Sequence, residues 1–263
     1  MSELGSDQAI RMQVTRIFPE RREERMDPVV VEAPLELRFG DEAWMTTMRT
    51  PGDDLDLALG LLFSEGVISS VDQVVRLAHC PKADPPESLV RIVLTKGCSL
   101  PRRRAVFASS SCGVCGSQGI QDLRRRFACR EQIVSLPEEV LMKVTTSLAP
   151  MQKIFQITGA LHGAALLDGG GEVLVAAEDV GRHNAVDKVI GKALRQNVLM
   201  ANRRILAVTS RVGFEIAAKA WAAQVEALVA VGAPSDLAIK TCAEAGIQLA
   251  GFATGERLNL YTF

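Results

Sequence analysis

Most of what this chain lacks removes a class of function. Thirty basic against thirty-one acidic side chains leave a formal net charge of −1, so the total charge favours neither nucleic acid nor a membrane surface. Met1-Ser2-Glu3-Leu4-Gly5-Ser6-Asp7 has no apolar core and no cleavage pattern, and no secretory leader is expected there. The most apolar later stretch, Ile216 to Val231, is broken by Lys219, Gln224 and Glu226, which speaks against a spanning helix. No Gly-x-x-x-x-Gly-Lys-Ser/Thr loop and no Gly-x-Gly-x-x-Gly fingerprint occurs. The zinc deaminase pattern, His-x-Glu with Pro-Cys-x-x-Cys, is missing too. The six cysteines repeat no spacing, and without a leader they read as reduced thiols in the cytoplasm.

What is present begins with composition. At 263 residues and 48% apolar, the chain can bury a proper core as one large domain or two modest ones. The most informative stretch is Ser109-Ser110-Ser111-Cys112-Gly113-Val114-Cys115-Gly116. Two thiols three residues apart lie between glycines, just before a helical pattern. A thiol at a helix N-terminus or in a Cys-x-x-Cys pair has its pKa lowered from about 8.5 toward roughly 3.5–7.5. Packing rarely asks for such an arrangement, so the stretch reads as a loop carrying one or two reactive thiols. Competing readings are half of a zinc site, completed by Cys80 with Cys98, and a thiol–disulfide exchange pair. Arg102-Arg103-Arg104 and Arg124-Arg125-Arg126 bracket the loop. They are either solvated faces or a means of lowering the thiol pKa and holding an acidic partner.

Residues 1–27 read as a polar arm with one short strand at Val14–Phe18, and residues 28–110 as a smaller α+β subdomain. Val29–Glu32, Leu35–Phe39, Glu42–Met48 and Leu89–Thr95 are its expected strands. Thr50-Pro51-Gly52-Asp53-Asp54 reads as a helix start capped by Thr50, with Gly66 closing the helix. Asp53, Asp54 and Asp56 together are more acid than a cap requires. The cysteine loop and its helix, Gln118–Cys129, occupy 111–134. From 135 to 263 a helix over Pro137–Ile154 and a hairpin around Asp168-Gly169-Gly170-Gly171 lead into alternation. Asn184–Arg195, Phe214–Ala223 and Ser235–Ala245 read as helices, and Ile205–Val208, Ala227–Val231 and Ile247–Ala253 as strands. This rhythm predicts an α/β layered core on a mostly parallel sheet.

Three further places look chemical. Glu178-Asp179-Val180-Gly181-Arg182-His183-Asn184-Ala185-Val186-Asp187-Lys188 follows a strand and opens a helix, where free N–H groups favour anions. Arg182 suits a phosphate, and Asp187 lies within i,i+4 reach to orient His183. The blander alternative is that Asn184 caps the helix, Asp187 returns the bond and His183 is incidental. Ser210-Arg211 sits just past a strand end, a typical ligand position in open α/β sheets. Gly251-Phe252-Ala253-Thr254-Gly255-Glu256-Arg257 is a glycine-bounded loop compatible with nucleotide contact. His162 between glycines is more often structural.

Taken in order, these motifs resemble the FdhD family of formate dehydrogenase accessory sulfurtransferases. The likeness runs from about Glu32 to Tyr261. It includes Thr50–Asp54, Leu57-Ala58-Leu59-Gly60, Phe63-Ser64-Glu65-Gly66, Ser110–Gly116, His162 and Glu178–Lys188. The resemblance implies a cytoplasmic homodimer with a cytidine-deaminase-like layered α/β domain. It implies that a cysteine desulfurase loads sulfur as a persulfide on Cys112, with Cys115 as its partner. The sulfur would pass to molybdenum in the bis-molybdopterin guanine dinucleotide cofactor before that cofactor enters formate dehydrogenase. The family's cofactor-binding segment falls on Phe252, Ala253, Thr254, Gly255, Glu256 and Arg257, and Arg182, His183 and Arg211 are expected beside it, with GDP or GMP as a mimic. The sequence departs from the family in that segment, since Thr254 stands where many relatives carry a base and Glu256 adds negative charge. No resident metal, nucleic acid or membrane partner is expected.

Overall fold

The computed structural model describes residues 8–98, 116–199 and 203–263. The N-terminal stretch, expected to hold one short strand, is an antiparallel ribbon. Strand β1 (Ala9–Ile17) pairs with β2 (Arg22–Val30), and Arg16 faces Glu23 across it. A four-stranded sheet follows, built from β3 (Ala33–Phe39), β4 (Glu42–Arg49), β5 (Val74–His79) and β6 (Leu89–Leu94) in the order β4-β3-β6-β5. Leu35, Leu37, Trp44, Met45, Val90 and Ile92 line its buried side. Strand β5 escaped the sequence because Val74-Val75-Arg76-Leu77 lacks alternation, as an edge strand with a register shift can.

Helix α1 (Asp54–Ser64) starts three residues later than a Thr50 cap would put it, and its cap position is Asp53. Gly52 and Asp53 take left-handed φ of 96° and 56°, which holds the chain out of the helix until Asp54. From Leu57 to Phe63 every residue of α1 is buried. A helix apolar on all sides belongs inside a core, and α1 sits between the four-stranded sheet and the helices described next.

The larger sheet has six strands in the order β12-β11-β10-β9-β7-β8. They are β7 (His162–Leu167), β8 (Val173–Asp179), β9 (Ile205–Val208), β10 (Ala227–Ala230), β11 (Gln248–Gly251) and β12 (Asn259–Thr262). Only β9, β10 and β11 run parallel. The β7–β8 hairpin joins one side and β12 the other, both antiparallel, so the sheet is mixed and not mostly parallel. Helices α5 (Arg182–Arg195), α6 (Phe214–Ala222) and α7 (Asp236–Ala245) cover one face through Val186, Ile190, Trp221 and Cys242 against Leu166, Leu206, Leu228 and Leu249. Helix α3 (Glu138–Leu148) covers the other, with Leu141, Val144 and Leu148 on Leu167, Ile205 and Val229. Burial on both faces explains why these strands read as unbroken apolar runs. Helix α3 is shorter than expected and ends in a 3-10 turn, Ala149–Met151, before the short α4 (Phe155–Thr158). Helix α2 (Gly116–Arg126) packs near α6 and α7.

Candidate functional site

Strand register gathers the expected site residues along one edge of the six-stranded sheet. Ala164 lies opposite Val208 and His162 opposite Asp179, so the start of β7 and the ends of β8 and β9 lie together. The parallel ends of β10 and β11 continue that edge. Gly232 N–H donates to the Ser210 carbonyl at 3.2 Å, and Phe252 N–H donates to the Gly232 carbonyl at 3.2 Å. A Cβ on Gly232 would stand 2.7 Å from the Arg211 nitrogen, so this approach needs glycine. Phe252 holds a left-handed φ of 52° while its ring stays 43% exposed. A left-handed φ is strained for an aromatic residue, which makes this strand end a candidate site. Arg211 is exposed, with no side-chain partner among the described residues.

The turn at 252–257 is only partly a binding surface. Ala253 is buried, which removes it as a contact. The Thr254 hydroxyl accepts from the backbone N–H groups of Glu256 and Arg257, both at 3.2 Å, so Thr254 builds the turn. Gly255, Glu256 and Arg257 are exposed.

Most of the motif Glu178–Lys188 proves to be a junction. Asp179 is fully buried. One carboxylate oxygen accepts from Gly181 N–H at 2.8 Å and Asn184 Nδ2 at 3.1 Å. The other accepts from Thr50 N–H at 3.2 Å and lies 2.8 Å from Lys188 Nζ. Lys188 also donates to the Thr50 carbonyl at 2.8 Å, and the Thr50 hydroxyl accepts from Val180 N–H at 3.2 Å. The segment therefore locks the turn before α1 onto the sheet edge. Asn184 does not cap α5 but donates to the Met48 carbonyl at 2.7 Å. Glu178 takes the Ile154 and Phe155 N–H groups. The surplus acids of α1 are likewise spent on cations: Asp53 on Lys192, Asp54 on Arg49 and Asp56 on Arg195.

Asp187 does not orient His183. It faces the core, where Lys219 Nζ donates to both its oxygens at 2.8 Å and the Ser64 hydroxyl donates at 2.6 Å. Burial pushes its carboxyl up, against the pull of Lys219. Glu215 of α6 takes the expected role, with Oε2 at 2.8 Å from His183 Nε2. The hydrogen bond from His183 holds the Glu215 carboxyl below its ordinary value. Arg182 Nε lies 3.5 Å from the same nitrogen, and among the described residues no carboxylate forms an ion pair with its guanidinium. Burial, then Arg182 and His183, lower the His162 imidazole. Helices α5 and α6 both open on glycine, Gly181 and Gly213, without a side-chain cap, whereas Ser235 caps α7. Two N-termini without side-chain caps and two arginines that pair with no carboxylate among the described residues lie along one edge and make an anion-attracting surface.

The FdhD/NarQ family model matches residues 30–263. The chain belongs to the FdhD/NarQ family. Among relatives, a sulfur carrier protein FdhD of Nocardia farcinica is 40% identical over 257 residues, covering 96% of this chain and 92% of that one. One of Saccharolobus solfataricus is 36% identical over 255 residues, covering 96% and 95%. The fold is shared with a solved structure described as a candidate formate dehydrogenase accessory protein from Desulfotalea psychrophila. The TM-score is 0.75 at 22% identity, with 97% of each chain covered.

Within this FdhD/NarQ chain the cysteines differ in kind. Cys112, Cys115 and the triplet Arg102–Arg104 lie outside the described residues, but α2 begins at Gly116, immediately after Cys115. Cys242 is buried and its thiol is pushed up to about 12, which makes it inert. Backbone N–H of Lys82 holds the buried Cys80 thiol below its ordinary value. Cys80 follows β5 and its N–H donates to the carbonyl of Leu89, the first residue of β6. The Cys98 sulfur lies 3.6 Å from the Thr95 hydroxyl just past the far end of β6. Six strand residues separate the two, about 20 Å, so they cannot complete one zinc site. Among the described residues no three His, Cys, Asp or Glu side chains group to hold a metal. No helix among them is long and apolar enough to cross a membrane.

Glu215 is the candidate-site residue that the sequence did not point to. At the second position of a helix it reads as a dipole-complementing acid, and only the packing of α5 against α6 brings it to His183.

Proposed function

We propose that this chain is a sulfurtransferase that carries persulfide sulfur on Cys112 from a cysteine desulfurase to a phosphate-rich guanine-dinucleotide molybdenum cofactor required by formate dehydrogenase. The single observation that carries the acceptor side is the sheet edge. Arg182, Arg211 and two helix N-termini without side-chain caps lie along one row of strand ends with the exposed Phe252, whose ring would stack on a base. Membership of a family whose curated members are named sulfur carriers supports the donor side. So does the start of α2 directly after Cys115, since a helix N-terminus favours a thiolate. As the resemblance implies, the carrier works as a cytoplasmic homodimer.

The chemistry asks little of the protein beyond positioning. The Cys112 thiolate attacks the terminal sulfur of the donor's persulfide, forming a new S–S bond and releasing the donor thiolate. Handing that sulfur on breaks this S–S bond and returns the Cys112 thiolate, while the acceptor supplies the electron pair that forms the new bond to sulfur and is itself oxidised by two electrons. Arg182, Arg211 and the helix N-termini hold the acceptor's phosphates, and His183, fixed by Glu215, supplies a further polar contact there. The test is intact mass after incubation with a cysteine desulfurase and cysteine. Cys112→Ser is expected to stay folded, to lose the mass of one added sulfur and to lose client activation. Full loading on that variant would move the carrier role to Cys115.

A further inference from the structure

Helix α6 links the cationic edge to a second surface. Glu215 in its first turn stands at the edge. About 10 Å further along the axis, at a rise of roughly 1.5 Å per residue, Ala222 lines a groove of about 460 Å³. The floor is apolar, with Phe63, Val67 and Ile68 from the end of α1 and Phe127 after α2. Gln73, Cys98 and Gln224 add polar atoms at the rim. Among the described residues, Arg126 is the only charged side chain lining the groove. Its Nη1 donates to the Glu65 carbonyl at 3.3 Å, and no carboxylate pairs with it among the described residues. Arg124, bound to Glu244, and Arg125, 3.4 Å from Asp122, extend the basic flank on the same helix.

Position in the chain gives this groove its meaning. Gly97 and Cys98 line it, and Cys112 follows fourteen residues further along. A sulfur carrier meets a donor and an acceptor in turn, and the chemistry of a surface distinguishes which of them it suits. The sheet edge, with its arginines and helix N-termini, suits a phosphate-bearing acceptor. The groove offers a single cation over an apolar floor, of a size that takes one or two side chains. Protein interfaces are anchored in this way, by an apolar side chain seated in a pocket with complementary charge at the rim. We propose that the groove is the docking surface for the protein that donates sulfur, which inserts an apolar side chain flanked by acidic residues. This rests on the sulfur-carrier reading above.

Arg126→Glu and Ala128→Trp test it, one reversing the rim charge and one filling the groove. Both positions are exposed. The Ala128 carbonyl that accepts from Trp221 Nε1 at 2.7 Å belongs to the backbone and survives the change. Intact mass would follow sulfur loading of the full chain from two donors, a cysteine desulfurase with cysteine and inorganic polysulfide, which needs no docking. The ratio of desulfurase-dependent to polysulfide-dependent rates is expected to fall about tenfold or more in each variant, as loss of an interface anchor does. An unchanged ratio in both would overturn the proposal, as would wild-type loading from polysulfide but not from the desulfurase. Loading of the wild type from neither donor would sink the carrier reading itself, and this proposal with it.

Discussion

A buried ammonium needs an acceptor for each of its protons, and Lys188 has three. These are the Asp179 carboxylate, the Thr50 carbonyl at 2.8 Å and the Glu178 carbonyl at 3.4 Å. Lys188→Ala would leave Asp179 a buried, unpaired charge, a loss of about 3–5 kcal/mol. Denaturant melts should show it, and a variant as stable as the parent would refute the junction role. His183 is the converse case, a partly exposed residue whose partner is Glu215. Glu215 has its folded-state carboxyl held below the ordinary Glu value of 4.5. A depressed carboxyl contributes stability above its unfolded pKa and loses it as pH falls through the folded one. His183→Gln should therefore lower the melting temperature at neutral pH, with the gap to the parent closing as pH drops below about 4.5. If His183 also contacts the acceptor, client activation falls about tenfold, roughly 1.4 kcal/mol in the transfer step, while sulfur loading stays normal. A drop in melting temperature alone would make the residue structural. These two residues show why the motif was only half legible. Asp, Lys and His after a strand suit an anion site and a buried junction equally, and only burial separates Lys188 from Arg182.

At the level of elements, α1 and α5 lie backbone against backbone. A Cβ on Gly60 would stand 1.9 Å from the Asp187 carbonyl oxygen, and one on Gly191 would stand 1.9 Å from that of Asp56. The two glycines are reciprocal: each helix lays its backbone on the other's. This places Asp56 against Arg195, and Asp53 against Lys192, without long side chains intervening. Glycine inside a helix costs roughly 1 kcal/mol relative to alanine, and here close approach offsets that cost. Gly60→Ala or Gly191→Ala should destabilise by about 1–3 kcal/mol or more by forcing the helices apart. An unchanged melting temperature in either would mean that the crossing is looser than it stands. The alternating helices and strands after residue 200 were readable because each strand is buried on both faces. The antiparallel β7–β8 hairpin and β12 were not readable as parts of the same sheet. Nothing local in Asn259-Leu260-Tyr261-Thr262 states which strand it will pair with.

For the whole molecule, the consequence of this topology is a row of strand ends that places Arg211 after β9 and Arg182 after β8, two strand spacings apart, about 10 Å. Two guanidiniums on long stems at that separation could grip one diphosphate, and in the proposed complex Phe252, two spacings from Arg211 on the other side, would meet the base. The sequence named all three residues, but their common edge depends on β7 entering between β8 and β9 in reverse. Calorimetry with GDP on the full chain tests the arrangement. Arg182→Ala and Arg211→Ala should each weaken binding about tenfold, near 1.4 kcal/mol, as expected for a charge-assisted hydrogen bond to phosphate. Because both would serve the same diphosphate, the double variant should lose less than the sum of the single losses. The exposed Glu256 carboxylate opposes the ligand's charge, so Glu256→Gln should tighten binding a few-fold at low salt, with the gain shrinking as salt screens it. Additive losses would separate the two arginines onto different groups of the ligand. Affinity unchanged in both single variants would remove the guanine nucleotide from this edge.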